Sequence, residues 1–83
     1  MYENVLTDIL QYIDDEFREI DSPAFTADSH VKNDINMESV EIMEMIGELE
    51  YRYKISIPDD FLPRMLTVRD IAREVVSLIE EKE

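Results

Sequence analysis

The 83-residue sequence has no cysteine and no tryptophan, and only one glycine and one histidine. Without cysteine no disulfide can staple the fold, and no thiol of the chain's own can react. Any thiol chemistry must therefore come from an added group. The single histidine, His30, has no cysteine and no second histidine to work with. It cannot anchor a metal or nucleophilic site by itself, and a surface loop residue is the expectation. Basic residues are scarce as well. Eight lysines and arginines stand against 21 acidic residues, for a net charge of −13. Such a chain repels nucleic acid and anionic lipid and favours a basic partner surface. The start, MYENVLTDIL, has no basic n-region and no long apolar run. No signal peptide, transit peptide or membrane span is expected, and a cytoplasmic protein is the default. There is no internal repeat and no low-complexity segment.

What is present suits one small domain over residues 1–83. The hydrophobic fraction of 45% is enough for a small core, although a chain this short buries only a modest share of its surface. Residues 2–20 read as an amphipathic helix. Tyr2, Leu6, Ile9, Ile13, Phe17 and Ile20 share one face, with Asn4, Asp8, Gln11, Asp15, Arg18 and Glu19 on the other. The acidic run Asp14-Asp15-Glu16 lacks the alternating loop and central glycine of a calcium site, so a solvated face is expected. Residues 21–37 hold Pro23, two Asp-Ser pairs, Asn33 and Asn36. This is turn chemistry, and the segment reads as a long ordered loop pinned to the core by Phe25, Val31 and Ile35. Loops of this length are usually functional or mobile.

A second helix is expected over 38–53. Ile42, Met45, Ile46, Leu49 and Tyr53 fall at helical spacing on one face. Glu41, Glu44 and Glu48 form a stripe on the other side, among Val40, Gly47 and Tyr51, with Met43 at the edge. Ser39 stands where the helix should begin, and Glu38 and Glu41 put negative charge in its first turn. Gly47 sits mid-helix at a penalty of about 1 kcal/mol relative to alanine. A neighbouring helix or a partner needs close approach there, or the penalty is simply tolerated. Residues 54–66 connect to the last helix, with one short helical turn at about 59–64 started by Pro58, Asp59 and Asp60. Leu62 and Met65 should point inward. The last helix is expected over 67–81, with Thr67 as N-cap, Asp70 completing a relative of the capping box, and Val68, Ile71, Ala72, Val75 and Ile79 on the inner face. The fold class is all-α: a small bundle of three long helices and one short one, with the long loop between the first two.

The stretch Asp34-Ile35-Asn36-Met37-Glu38-Ser39-Val40, the acidic helix after it, Tyr53 and the turn Ile57-Pro58-Asp59 together resemble the acyl carrier proteins, the phosphopantetheine-carrying domains. These carry a segment like D-L-G-[AM]-D-S-L, then an acidic helix, an aromatic residue and an I-P-D turn. Upstream, Phe25-Thr26-Ala27-Asp28-Ser29 resembles an I-T-P-D-S approach, and the resemblance runs without a gap from about Phe25 to the end. It implies that Ser39 is the attachment point of a 4'-phosphopantetheine arm, transferred from coenzyme A by a phosphopantetheinyl transferase. The arm's thiol would carry acyl groups as thioesters to synthase and acyl-transfer enzymes with basic surfaces. The carrier would be no enzyme itself, and a monomer is expected. It implies further that Glu38, Glu41 and Glu44 meet basic partner surfaces; Val40 and Met43, which solubility alone does not call for, and Gly47 on the same side are expected to share that contact. Ile46, Leu49, Ile57, Leu62, Met65 and Ile71, which are core residues first, can part to shelter an acyl chain.

Two positions depart from the family pattern. Asn36 stands for the usual glycine, and Glu38 for the usual aspartate. Asparagine adopts positive φ more readily than most residues, and glutamate carries the same charge on a longer stem. With Gly47 they hint at a dedicated carrier rather than the general one of fatty-acid synthesis. Plainer readings stand beside these. Ser39 can be an ordinary N-cap; if Glu38 is the cap instead, the serine hydroxyl stays free. The acidic stripe can be solubility charge. The whole chain can be an acidic helical interaction module that never carries an arm. An enzyme is disfavoured, because no nucleophile–base pair converges.

Overall fold

In a computed structural model that describes residues 1–82, the chain is all-helical. Helix α1 spans Tyr2–Phe17, α2 Ser39–Tyr53 and α3 Val68–Lys82, with a short 3-10 helix, Asp59–Arg64, between the last two. Among the described residues there is no strand, only an isolated antiparallel bridge between His30 and Thr67. This is the expected architecture of three long helices and one short one.

The core is built from one stripe of each long helix. In α1 the stripe centres on Val5, Ile9 and Ile13, all buried, with Tyr2, Leu6, Leu10, Tyr12 and Phe17 packed at its margins. Val5 lies one turn before Ile9 on the same face and is buried with it. In α2 the buried residues are Ile42, Met45, Ile46 and Leu49, and in α3 they are Val68, Ile71, Ala72 and Val75. Each buried Val, Ile, Leu or Met side chain among them contributes on the order of 1.5–3 kcal/mol through burial, and Ala72 less.

Helix α1 ends three residues short of the expected Ile20. Arg18 is already extended, with φ −75° and ψ 129°. The Ser22 N–H donates to the Glu19 carbonyl at 3.2 Å, the Arg18 guanidinium donates to the Ser22 carbonyl at 3.0 Å, and Asp21 takes φ 75°. Pro23 disfavours helical backbone at Ser22, so a tight turn replaces the last helical turn. Ile20 is left 92% exposed at its apex.

The long loop is ordered by backbone pairing to the start of α3. The Val31 N–H donates to the Leu66 carbonyl at 2.9 Å, Val68 N–H to Ser29 at 3.1 Å and Arg69 N–H to Ala27 at 2.8 Å. Val31 and Ile35 are buried as expected, Phe25 is half-buried, and Met37 is a further buried anchor. His30 is half-buried rather than a plain surface residue. Its Nδ1 accepts the N–H groups of Lys32 and Asn33 at 3.2 and 3.1 Å, while its carbonyl accepts those of Asp34 and Ile35. It organises the turn that leads into α2.

The C-terminal half is closed by side chains reaching backbone. Lys54 ends α2 in the left-handed conformation, φ 56°. The Lys82 ammonium donates to the Tyr53 and Lys54 carbonyls at 3.2 and 2.9 Å, where a cation is favoured by the helix dipole. The Glu50 carboxylate accepts the Ile57 N–H at 2.7 Å and fixes the approach to Pro58. In the short helix, Phe61 rather than Leu62 is the buried residue; Leu62 is half-buried and Met65 buried. A three-residue turn aligns Phe61 with Arg64, whose guanidinium lies 5.8 Å from the ring centre. Thr67 and Asp70 form the expected reciprocal cap at the start of α3. The Asp70 N–H donates to Thr67 Oγ1 at 3.3 Å, and the Asp70 carboxylate accepts the Thr67 N–H at 3.0 Å.

Candidate functional site

The beginning of α2 is set by three successive residues. Asn36 takes φ 64°, a left-handed conformation that its short amide side chain tolerates. Met37 is then buried, and Glu38 is extended, with φ −85° and ψ 162°, as the N-cap. Glu38 and Glu41 form a capping box, in which the Glu41 carboxylate accepts the Glu38 N–H at 2.8 Å. Two glutamates thus cap the helix in place of Ser39. Ser39 is the first helical residue and is exposed, and its hydroxyl is not used by the cap.

The outer surface of α2 carries Val40, Met43 and Tyr51, 59%, 52% and 78% exposed. Glu44 and Gly47 are exposed between them, while Glu41 and Glu48 are half-buried. Glu48 pairs with Arg52 at 3.3 Å. On the neighbouring helix, the Tyr12 pKa is raised above its ordinary value, first by burial and then by the carboxylates of Glu16, Glu44 and Glu48. The field of the stripe therefore extends over α1. A Cβ at Gly47 would meet no other atom within 4 Å, so no neighbouring helix or loop requires glycine there.

A cavity of about 120 Å³ opens beside Ser39, bordered also by Lys32, Ile42, Met43, Leu62 and Met65. Of the six core residues considered as an acyl shelter, Leu62 and Met65 border this space. Ile46, Leu49, Ile57 and Ile71 are buried in the core away from it. Lys32, Ile42 and Met43 are the residues that sequence reading did not associate with it. Ile42 read as core and Met43 as surface, and Lys32 comes from a separate loop.

The acidic run near the end of α1 is tied up locally. Asp15 accepts the Gln11 amide at 2.9 Å, and Asp14 lies 3.5 Å from the Phe25 N–H. Among the described residues no group of three or more potential ligands could hold a metal ion, and no helix is long and apolar enough to cross a membrane.

An all-helical bundle with an ordered loop before an acidic second helix, and an exposed serine at that helix's first position, is the arrangement expected of a carrier-type domain. Comparison with known proteins gives the family. The chain is 35% identical over 78 residues to an acyl carrier protein of Exiguobacterium sibiricum, covering 94% of this chain and 92% of that one. It is 32% identical over 80 residues to an acyl carrier protein of another Exiguobacterium, covering 96% and 95%. With the acyl carrier protein of Lactobacillus acidophilus it shares 31% over 75 residues, 90% and 92% of the two chains. The chain belongs to the acyl carrier protein family. No family model matches it.

Proposed function

We propose that this chain carries acyl groups as thioesters on a 4'-phosphopantetheine arm attached to Ser39 Oγ. The observation that carries the reading is the exposed Ser39 at the first position of α2, its hydroxyl left free by the Glu38–Glu41 cap, in a chain similar to acyl carrier proteins along nearly its whole length. The residues present fit such an arm. Attachment requires an accessible hydroxyl, and a phosphate bonded to it would lie by the N–H groups of the first helical turn, which favour an anion. Ser39 Oγ would form the new O–P bond as the pyrophosphate P–O bond of coenzyme A breaks, releasing adenosine 3',5'-bisphosphate. The transferase would take the hydroxyl proton. When bound, the arm supplies the thiol that the cysteine-free chain lacks.

The chain's own part is presentation. Glu38, Glu41 and Glu44, with Val40, Met43 and Gly47 among them, form an acidic surface with apolar points next to Ser39. Carboxylates there suit basic transferase and synthase surfaces and speed encounter at low salt. Val40 and Met43 give such partners apolar contact that solubility charge would not call for. Ile42, Met43, Leu62 and Met65 offer the first part of an acyl chain an apolar recess. The carrier catalyses no step.

Incubation of the protein with coenzyme A, magnesium and a broad-specificity phosphopantetheinyl transferase should add one phosphopantetheine, read by intact mass, and Ser39→Ala should abolish the addition. No gain with several transferases, including one from the source organism, would overturn the carrier reading in favour of an acidic interaction module.

A further inference from the structure

The attachment surface poses an electrostatic difficulty. A phosphodiester on Ser39 carries a negative charge into a surface that already holds Glu38, Glu41 and Glu44, on a chain of net charge −13. The covalent bond leaves the phosphorus no freedom to move away from Ser39. A cation beside Ser39 would offset this repulsion, in addition to the N–H groups of the first helical turn.

Most of the eight basic side chains are engaged elsewhere. Arg52 pairs with Glu48 and Arg69 with Asp28. Arg18 and Arg64 donate to the carbonyls of Ser22 and Asp60. Lys54 lies 5.7 Å from the centre of the Tyr51 ring, and Lys82 donates to carbonyls at the end of α2. Arg73 is exposed on α3. Lys32 is the one that borders the same cavity as Ser39. It is exposed and enters no ion pair among the described residues. Its backbone is not free to wander. The Lys32 N–H donates to His30 Nδ1, the preceding Val31 is buried and paired to Leu66, and the turn closes through the His30 carbonyl.

Resting on the proposed attachment at Ser39, we infer that Lys32 is the positioning residue for the arm's phosphate. Lys32 borders the same cavity as Ser39, and its ammonium would pair with the phosphodiester oxygens and so link the long loop to the start of α2 once the arm is attached. It touches neither the thiol nor the cargo. Its effect is to bias the root of the arm toward the recess formed by Ile42, Met43, Leu62 and Met65. The apo protein holds Lys32 without this partner, so the loop-to-helix link is made only on modification.

The test compares apo and holo forms of the wild type, Lys32→Gln, Lys32→Arg and Arg73→Gln, each loaded enzymatically and checked by intact mass. On loading, Lys32→Gln should lack the gain in melting temperature that the Lys32–phosphate pair gives the wild type, about 1–8 °C at low salt, the range for one surface charge pair in a small domain. Lys32→Arg should keep the gain, Arg73→Gln should match wild type, and roughly 0.5 M salt should erase the difference. The side-chain resonances of Lys32 should also shift on loading of the wild type. Equal gains in wild type and Lys32→Gln, or an equal deficit in Arg73→Gln, would overturn the assignment while leaving Ser39 as the attachment point. No mass gain in the wild type would overturn the attachment itself, and this inference with it.

Discussion

The Glu41 carboxylate accepts the backbone N–H of Glu38 at 2.8 Å, so one member of the acidic stripe is part of the fold as well as of the surface. Exposed charges contribute little to stability, and on sequence alone Glu41→Lys and Glu44→Lys should both leave the melting temperature nearly unchanged. The capping box separates them. Glu41→Lys removes a capping acceptor and puts a cation at the positive end of a helix. It should lose about 1 kcal/mol, or about 4–8 °C in a domain of this size. Glu44→Lys should stay within about 0.5 kcal/mol of wild type. Both should weaken binding to a basic partner enzyme, and added salt should weaken the wild type toward the same level. Thermal melts by circular dichroism that coincide for the two variants would remove Glu41 from the cap.

Asn36 permits a cleaner test of backbone conformation. It is exposed and sits at φ 64°, so a substitution changes the backbone preference with little loss of packing. Asn36→Gly should be neutral or mildly stabilising. Asn36→Val should destabilise by roughly 1–2 kcal/mol, because a β-branched side chain resists the left-handed region. Urea midpoints at unchanged slope would measure this. A valine variant as stable as wild type would mean that the turn can be made without positive φ.

These two sites show what was legible in the sequence and what was not. The inner faces of α2 and α3 could be read because the period of 3.6 repeats over four turns, and because Thr67 and Asp70 stand at capping-box spacing just ahead of one of them. Asn36 was legible because few residues replace glycine in the left-handed region. The choice between Glu38 and Ser39 as cap was open, since both carry an acceptor oxygen and only the extended backbone at Glu38 decides. The stop at Phe17 is not legible because Ile20 continues the apolar period and Arg18, already extended, breaks no pattern; the turn signal of Asp21, Ser22 and Pro23 begins only after Ile20. Lys32, Leu62 and Ser39 share a cavity through contacts between separate segments, and Lys82 reaches the end of α2 from the other end of the chain. No local pattern encodes either meeting.

The Tyr53 hydroxyl donates to the Asp8 carboxylate and ties the end of α2 to α1. Burial, and next this hydrogen bond, push the Tyr53 pKa up to about 12 from its ordinary 10.0. The folded state thus holds the phenolic proton more tightly than the unfolded chain does. The resulting stability is complete below pH 10 and is lost as the pH rises from 10 toward 12. Urea unfolding across that window should show a decline that Tyr53→Phe lacks. The phenylalanine variant should be less stable than wild type at pH 7, where the hydrogen bond is intact. A decline of equal steepness in both proteins would assign the alkaline loss to other groups.

Gly47 separates fold from function most directly. It is exposed in the middle of α2, and a Cβ there would touch nothing within 4 Å. No packing requirement explains the glycine. Gly47→Ala should therefore remove backbone entropy from the unfolded chain and improve helix propensity, for a gain of up to about 1 kcal/mol. A larger side chain should also be accepted by the isolated fold, so Gly47→Leu should melt near wild type. Its effect belongs to complexes. Gly47 lies between Met43 and Tyr51 on the surface that carries Val40 and Glu44, and a leucine there would hold a partner's surface away from the helix. The expected pattern is an alanine variant that is more stable, and a leucine variant that folds and accepts the arm but passes its acyl group to a partner enzyme more slowly. Melts of the two variants beside a transfer assay give the answer. A fall in melting temperature for both would mean that the surface is covered by another part of the chain in solution, and a leucine variant that transfers as fast as wild type would leave Gly47 outside the partner contact.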